Sequence, residues 1–300
     1  MSHNPLPHSD ASAPSGSPEP APRFALPGHR VIALVGRDAV AFAQAQTMND
    51  VDALRPGRWQ WNGWLTPKGR VIALFALLRL AADTVWLLVP DADAAELAAQ
   101  LQRFVLRRKL EITVRDDLHA SGAFEGPERA DGATFDGDAD TGIVLDMGGF
   151  GLRRSLRISG APEATDPTAE LRWAASDLHL GFPRLPSSQA EQWTPQMLSL
   201  DRLQAYSVKK GCYPGQEIVA RTHFLGQAKR GLVLFEAAAE PGVGANVDIG
   251  ASALGQIVST VRNGDGWLAL AVLPVERPDA PATTGDIALR ERAMLGGLAR

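Results

Sequence analysis

Cysteine is nearly absent from this sequence, in which Cys212 is the one thiol among 300 residues. A single cysteine excludes an internal disulfide, so no bridge indicates the redox state of the compartment. It also excludes a metal centre held by this chain's cysteines alone, because a protein-bound iron–sulfur cluster usually takes about four thiolate ligands. A cluster on this chain would need thiols from a partner or from a second subunit.

Long hydrophobic runs and an excess of one charge are missing as well. The longest apolar run, residues 71–78, is far shorter than the ~20 residues of a membrane-spanning helix. The net charge is −4, from 34 acidic and 30 basic residues, and no platform of aromatic and basic residues for single-stranded nucleic acid is evident. We therefore expect a cytoplasmic protein without a membrane partner and without direct nucleic-acid binding.

Residues 1–23 are rich in proline, serine and alanine and contain almost no large apolar side chain. Such a segment cannot bury enough surface to order itself, so we predict a disordered tail. It has no apolar block and no lysine or arginine before Arg23, so we expect neither a secretory signal nor an arginine-rich transit peptide.

The first part of the remaining chain alternates between strand and helix patterns. Periodicity predicts strands at residues 31–35, 71–80, 84–89 and 110–114, and helices at 39–46 and 94–106. Asp38 and either Asp91 or Asp93 are expected to cap these helices. The order strand–helix–strand–strand–helix–strand is typical of a ferredoxin-like split βαβ unit.

Three cations, Arg107, Arg108 and Lys109, follow the second predicted helix. Cations at a helix C-terminus compensate the negative end of the helix dipole, which is the preferred interpretation. A patch that binds phosphate or polyglutamate is the alternative.

The second part of the chain has shorter elements. Residues 125–141 predict a loop, 142–146 and 152–159 strands, and 168–178 a helix. Thr194 followed by Pro195 is typical of a helix start. Short strands between turns are predicted at 231–235, 245–249, 254–262 and 267–272, which indicates a small antiparallel barrel or sandwich.

The densest group of polar residues surrounds the cysteine. Tyr213-Pro214-Gly215-Gln216 is typical of a type II turn, in which proline fixes φ at the second position and glycine accepts a positive φ at the third. Cations flank the turn on both sides, namely Lys209, Lys210, Arg221, His223, Lys229 and Arg230. Cations favour the thiolate, so Cys212 is predicted to be reactive and solvent-reachable. A small, buried structural thiol is the alternative.

The segment Lys210-Gly211-Cys212-Tyr213-Pro214-Gly215-Gln216-Glu217 resembles the Lys-Gly-Cys-Tyr-x-Gly-Gln-Glu signature of the folate-binding YgfZ family. That family is related to the T-protein, the aminomethyltransferase of the glycine cleavage system. Further segments are similar to the family, namely 46–50, Gly69-Arg70, 195–198, 218–221 and 226–230.

The resemblance implies an α+β, T-protein-like (aminomethyltransferase-like) fold. It has ferredoxin-like split βαβ units and a C-terminal antiparallel β-barrel around a folate-binding cleft. It implies the following division: a disordered tail at 1–23, a first α+β folate-binding domain at 24–120, a second α+β domain with the signature at 121–228, and the barrel at 229–300.

The resemblance also implies a function. The chain would bind tetrahydrofolate or a derivative and support assembly or repair of iron–sulfur clusters in client enzymes, including tRNA-modifying enzymes. Its partners would be folate and iron–sulfur client enzymes or cluster carriers, and it would be an accessory factor more than an enzyme. The alternative is a tetrahydrofolate-dependent aminomethyltransferase.

The site residues follow from the same signature. Cys212 is predicted to be the catalytic thiol, able to ligate an exposed cluster iron in transit or to form a mixed disulfide with a client. The other signature residues are Lys210, Gly211, Tyr213, Gly215, Gln216, Glu217 and Arg221. Glu217 is expected to act through its position more than its charge, the alternative being a solvated surface acid. No metal site of the chain's own is predicted.

The folate contacts expected from the resemblance are Asp50, Trp64 and Arg230. Asn49 and Asp50 either face the folate cavity or simply end a helix. Trp59, Trp61 and Trp64 are close enough in sequence to stack on a pterin, although packing in the core or at a subunit contact is the more common role of such rings.

Overall fold

A computed structural model describes residues 21–225 and 228–300 of the chain. Most of the predicted disordered tail, residues 1–20, therefore lies outside the described residues, as do Gly226 and Gln227 of the family-like segment 226–230.

Four α-helices and sixteen strands are present in the described residues. The helices are α1 (Ala39–Gln46), α2 (Ala94–Gln102), α3 (Pro167–His179) and α4 (Gln216–Leu225). The strands of the two sheets are β1 (Phe24–Ala25), β2 (Arg30–Val35), β3 (Arg58–Leu65), β4 (Val71–Arg79), β5 (Thr84–Val89), β6 (Glu111–Val114), β7 (His119–Ala123), β8 (Asp136–Asp138), β9 (Gly142–Asp146) and β10 (Ser155–Ser159). The barrel strands are β11 (Arg230–Ala237), β12 (Asn246–Ile249), β13 (Ser252–Asn263), β14 (Gly266–Pro274), β15 (Ala282–Thr284) and β16 (Ile287–Arg292).

The first sheet has the strand order β3-β4-β5-β2-β6, and every neighbouring pair is antiparallel. Four of these strands, with α1 and α2, have the order and directions of the ferredoxin-like unit. β3 is an additional edge strand that the sequence did not predict. Its residues after Arg58 are all buried, including the polar Gln60 and Asn62, so it is not the half-exposed strand that alternating apolar and polar residues usually indicate.

The second sheet has the order β1-β7-β10-β9-β8. β8, β9 and β10 follow one another as an antiparallel meander, and α3 comes after them, so this sheet is connected differently from the first. β8 lies within the segment predicted as a loop. Phe24 pairs with Gly122, where a Cβ atom would lie 2.9 Å from the Phe24 ring and 3.0 Å from Trp173.

The third unit is a closed six-stranded barrel with the order β11-β14-β13-β12-β15-β16. Val233, Phe235, Ile257 and Ala271 are buried together in one of its apolar clusters. The predicted antiparallel barrel is therefore present, although the sequence missed β15 and β16. The domain boundaries drawn from the sequence remain predictions.

A large core joins residues of both sheets and the barrel. Trp59 and Trp61 are buried in it, and the Trp61 ring packs against Phe182 with 4.6 Å between ring centroids. Residues 294–300 return from the barrel to this core, where the Trp61 indole N–H donates to the Leu298 carbonyl at 2.7 Å. Trp64 is buried with α1 and α2 on the other side of the first sheet. All three tryptophan rings are thus packed in the core, as the sequence favoured, and the Trp64 indole N–H lacks a partner among the described residues.

A chain of buried charges links the two α+β regions. Arg154 is almost wholly buried and donates to the Asp177 carboxylate at 2.8 Å, with its guanidinium over the Trp173 ring. Asp177 is also 3.5 Å from Arg184, which pairs with Asp91 at 2.6 Å. Asp91 follows β5, whereas Asp177 lies on α3, so the chain of ion pairs spans both regions.

Three local predictions were wrong. The Asp38 side chain does not cap α1, because its carboxylate accepts the Lys109 backbone N–H at 2.7 Å. α2 ends at Gln102, so the cations 107–109 are not in its last turn. No α-helix starts at Pro195, since Ser199 and Gln204 have left-handed backbone conformations (φ 49° and 52°) that limit the helical residues there to a short 3₁₀ turn, Leu200–Leu203.

Candidate functional site

The signature segment forms a hydrogen-bonded turn that leads into α4. The Gln216 N–H donates to the Tyr213 carbonyl at 3.2 Å, and Gly215 has a φ of 79°, as the third position of a type II turn requires. The Gly215 backbone also lies against the turn before β4, where a Cβ atom would be 2.6 Å from the Thr66 carbonyl oxygen and 2.7 Å from the Gly69 Cα. Glycine is needed here for conformation and for space.

Lys210 directs its ammonium group into the protein. The side chain is buried, and Nζ donates to the carbonyl oxygens of Gln44, Thr47 (2.6 Å) and Asn49 (2.9 Å). These carbonyls belong to the end of α1 and the residues after it, so the positive charge meets the negative end of the helix dipole. Burial lowers the pKa of Lys210 to about 8, whereas Asp50 and Asp52 act in the opposite direction. The sequence had assigned this charge to the Cys212 thiolate.

Tyr213 and Gln216 fix the same loop from the inside. The Tyr213 hydroxyl donates to the Ser207 carbonyl at 3.0 Å, and burial raises the pKa of this phenol. The Gln216 side-chain amide donates to the Lys210 carbonyl at 3.0 Å. The Lys210 ammonium also lies 4.9 Å from the centre of the Tyr213 ring. The polar members of the signature therefore bind mainly one another and the α1 end.

Cys212 is exposed and lies at the outer side of this anchored loop. The neighbouring Gly211 is exposed too, and a Cβ atom built on it would meet no other atom within 4 Å. The thiol is thus flanked by open space, whereas Gly215 three residues later is tightly enclosed. The expectation of a solvent-reachable thiol agrees with this geometry, and its reactivity remains a prediction.

Glu217 and Arg221 lie on the exposed side of α4. Within residues 21–225 and 228–300, neither side chain forms a hydrogen bond or an ion pair. Glu217 is in the first turn of α4, where a carboxylate is favourable against the helix dipole. The predicted role of Glu217 through its position stays a prediction.

The three predicted folate contacts lie in different surroundings. The Asp50 carboxylate accepts the Gln44 amide at 3.2 Å, so this residue is close to the Lys210 anchor. Trp64 is buried under the helices of the first sheet. Arg230 begins β11 and donates to the Leu254 carbonyl at 2.7 Å. Asp50 is therefore brought to the signature loop, whereas the polar contact of Arg230 lies within the barrel.

Asn49 and Asn62 were not fully anticipated by the sequence. Asn49 is buried, its amide donates to the carbonyls of Trp61 (2.9 Å) and Gln204 (2.7 Å), and its backbone N–H donates to the Asn62 side chain. Asn62 belongs to a set of buried side chains on one face of β3 whose N–H groups lack a partner among the described residues, together with Gln60 and Trp64. The signal in the sequence was polar residues at alternate positions of a strand that is otherwise aromatic.

Comparison with known proteins tests the family resemblance of the signature. No family model matches the chain. A "tRNA-modifying protein YgfZ" of Vibrio vulnificus (strain CMCP6) is 28% identical over 233 residues, which is 72% of this chain and 71% of that protein. Another protein of that name, from Aliivibrio fischeri (strain MJ11), is 27% identical over 269 residues, 81% of this chain and 82% of its own length. The resemblance of this chain to the YgfZ family is confirmed.

Two further likenesses agree with this resemblance. The "iron-sulfur cluster assembly factor IBA57 homolog, mitochondrial" of Mycosarcoma maydis is 26% identical over 69% of this chain and 55% of that protein. The crystal structure of the glycine cleavage system aminomethyltransferase T from Bartonella henselae matches with a TM-score of 0.63 at 16% identity, covering 91% of this chain and 84% of that one. The predicted T-protein-like fold is confirmed.

Proposed function

We propose that this protein supports the assembly or repair of iron–sulfur clusters in client enzymes, including enzymes that modify tRNA, and that it binds a reduced folate. At the coarser level, its relatives are named for tRNA modification and iron–sulfur cluster assembly. The proposed partners are client enzymes or cluster carriers. Within the part of the chain that the structure describes, no helix is both long and apolar enough to cross a membrane.

The observation that supports a role in cluster chemistry is the exposed Cys212 on a rigid loop. Hydrogen bonds from Lys210, Tyr213 and Gln216 hold the loop, so the thiol is kept at the surface. No group of three or more His, Cys, Asp or Glu side chains converges on a metal position among the described residues. We therefore propose that Cys212 loses its proton and contributes one thiolate to a cluster whose other ligands belong to the partner.

The polar face of β3 supports the folate part of the proposal. The buried amides of Gln60 and Asn62 and the indole of Trp64 each have an N–H without a partner in the described residues, and alternate residues of a strand share a face. A pterin ring has nitrogen and oxygen acceptors that fit such donors. Asp50 lies near the Lys210 anchor and is a carboxylate for pterin N–H groups, whereas Arg230 is proposed for the anionic tail.

An accessory role is proposed in preference to aminomethyl transfer. The likeness to the aminomethyltransferase is 16% in sequence and concerns the fold alone. The signature with its exposed cysteine belongs to the YgfZ resemblance, and that resemblance implies an accessory role. A glycine-cleavage assay with the lipoyl carrier protein distinguishes the two functions, and turnover by this chain would favour the enzyme.

The decisive variant for cluster support is Cys212→Ser, which keeps the size of the side chain and removes the soft ligand. We expect a melting temperature close to that of the wild type, because the thiol is exposed, together with lost activity of iron–sulfur enzymes in cells that depend on the variant. Asp201→Ser, at an exposed position outside the signature, is the control and should retain full support. Full support by Cys212→Ser would contradict the proposed role of the thiol.

Folate binding is tested separately by calorimetry with tetrahydrofolate. We expect saturable binding that weakens about tenfold in Trp64→Phe, since one hydrogen bond is lost and the ring is kept. Trp267→Phe, in the barrel, is the control and should bind like the wild type. No heat of binding up to millimolar tetrahydrofolate would contradict the folate proposal and leave the Cys212 experiment unaffected.

A further inference from the structure

The turn that follows α2 presents apolar side chains to solvent. Phe104 is 44% exposed and Leu106 is 87% exposed. Val35, at the end of β2, is 45% exposed and lies beside this turn, because the next residue, Gly36, would contact the Lys109 carbonyl at 2.5 Å if it had a Cβ. Three of the eight large hydrophobic side chains that are exposed among the described residues therefore lie in or beside this turn.

Leu106 also has an unfavourable backbone conformation. Its φ is 48°, in the left-handed region where glycine is usual and a branched, bulky residue is rare. The turn is closed by an N–H of Arg108 that donates to the Val105 carbonyl at 2.9 Å. A glycine would make the same turn with less strain, so a strained and exposed leucine at this position is consistent with a use of its side chain on the surface.

Cations surround this apolar group. Arg103, Arg107 and Lys109 are exposed, Arg108 is half-buried, and Arg37 is adjacent through Gly36. In the described residues no ion pair involves any of the four cations at 103–109. Asp38, Asp83 and Glu111 are the neighbouring acids. Asp83 lies beside Gly36, whose N–H donates to the Asp83 carbonyl, and the Asp38 carboxylate is already bound to the Lys109 N–H and to Arg37. The surface is therefore basic in a chain whose net charge is −4.

We propose that residues 103–109, with Val35, form a docking surface for a protein partner that has an apolar pocket rimmed by carboxylates. We call it the basic-apolar turn. An apolar centre with an arginine rim is the usual composition of a protein interface. Nucleic acid is disfavoured as the partner because the apolar side chains of Leu106 and Val35 cannot bind the phosphate groups of its backbone. A lipid surface is disfavoured because the apolar residues lie on a short turn and not along a helix.

Photo-crosslinking in cells tests the occupant directly. In the full chain, Phe104 is replaced by benzoylphenylalanine, which keeps an aromatic ring at this position, and the crosslinked peptide is identified by mass spectrometry. Leu171, which is 42% exposed on α3, receives the same probe as the matched control. We expect a protein adduct specific to position 104 whose contact peptide is rich in Asp and Glu.

The identified protein is then purified and titrated with variants of this chain. We expect Arg107→Glu and Leu106→Ser each to weaken binding at least tenfold at unchanged melting temperature, with Arg55→Glu, an exposed arginine elsewhere, as the control. Reversing a contacting carboxylate of the partner to lysine should restore binding of Arg107→Glu.

Several results would overturn the proposal. These are an adduct with RNA or lipid at position 104, adducts no different from those of position 171, a contact peptide without acidic residues, or binding insensitive to Arg107→Glu. None of them depends on Cys212. The Phe104 ring lies 5.8 Å from the Trp64 ring, so position 104 serves only to identify the partner. The titrations with Arg107→Glu and Leu106→Ser change no residue of the proposed folate or cluster site, so their failure is distinguishable from a failure of the proposed function.

Discussion

Lys210 binds three backbone carbonyls around the end of α1, and this is the property of the residue that the sequence did not reveal. A signature lysine next to a cysteine was interpreted as a source of positive charge for the thiol. In the structure the same charge holds together two segments that lie about 160 residues apart along the chain. The side chain therefore acts on Cys212 by fixing the loop that presents it.

Replacing Lys210 by Met should destabilise the protein by about 2–3 kcal/mol, because buried carbonyls lose charged donors and keep no substitute. Lys209→Met, at an exposed neighbouring position, should change the free energy of unfolding by less than about 0.5 kcal/mol. Urea denaturation of both variants measures the difference. Equal stability of the two variants would refute the anchoring role.

A second residue, His29, should make the protein sensitive to acid. Burial lowers the pKa of His29 well below its usual value, and the cations Arg184 and Arg154 lower it further. Below about pH 6.5 this histidine binds a proton in the unfolded chain, whereas it stays neutral in the folded state. The free energy of unfolding therefore falls as the pH falls from about 6.5. We expect His29→Gln to lose less stability than the wild type between pH 7 and pH 5. His119→Gln, at an exposed position, should follow the wild type.

At the scale of the secondary-structure elements, the two glycines of the signature loop should respond in opposite ways. Gly215→Ala should cost at least about 2 kcal/mol, since it combines a positive φ with backbone atoms within 3 Å of the new Cβ. Gly211→Ala should be nearly neutral, because the space around it is open. Chemical denaturation of the pair provides the comparison, and a neutral Gly215→Ala would show that the turn can move.

The elements that the sequence predicted well are those with a local signal. The β4–β5 hairpin has two runs of apolar residues, and α3 begins with Asp166, whose carboxylate accepts the N–H groups of Thr168 and Ala169, followed by Pro167. β3 and α4 were missed for different reasons. β3 is buried on both faces, and the start of α4 is hidden by the turn that contains Gly215.

The sequence predicted which residues belong to the signature loop, but it did not predict the contacts that these residues make. Cys212 and the type II turn follow from residues that are adjacent in the chain. The destination of the Lys210 side chain, and the use of Asn49 as a bridge between β3 and Gln204, depend on segments far apart in sequence. The sequence motif therefore identifies the residues of the site, but it does not reveal the contacts that some of them, such as Lys210, make with distant segments.

At the scale of the whole molecule, the buried charges Arg154, Asp177, Arg184 and Asp91 should stabilise the contact between the two α+β regions. Asp177→Asn leaves a buried arginine without its counter-charge and should cost about 3–5 kcal/mol. Asp136→Asn, in an exposed pair with Arg129, should cost less than about 1 kcal/mol. Thermal unfolding of both variants is the measurement, and a similar loss in both would contradict the structural role of the buried chain.

The return of residues 294–300 to the core has a consequence for biosynthesis. The ribosome makes Trp61 early, yet the carbonyl that accepts its indole N–H belongs to Leu298, which is made after the whole barrel. During translation the apolar surface around Trp59 and Trp61 therefore stays partly uncovered while more than half of the chain is still being made. The nascent protein should bind chaperones that recognise exposed aromatic segments until residues 294–300 are free to pack on this surface.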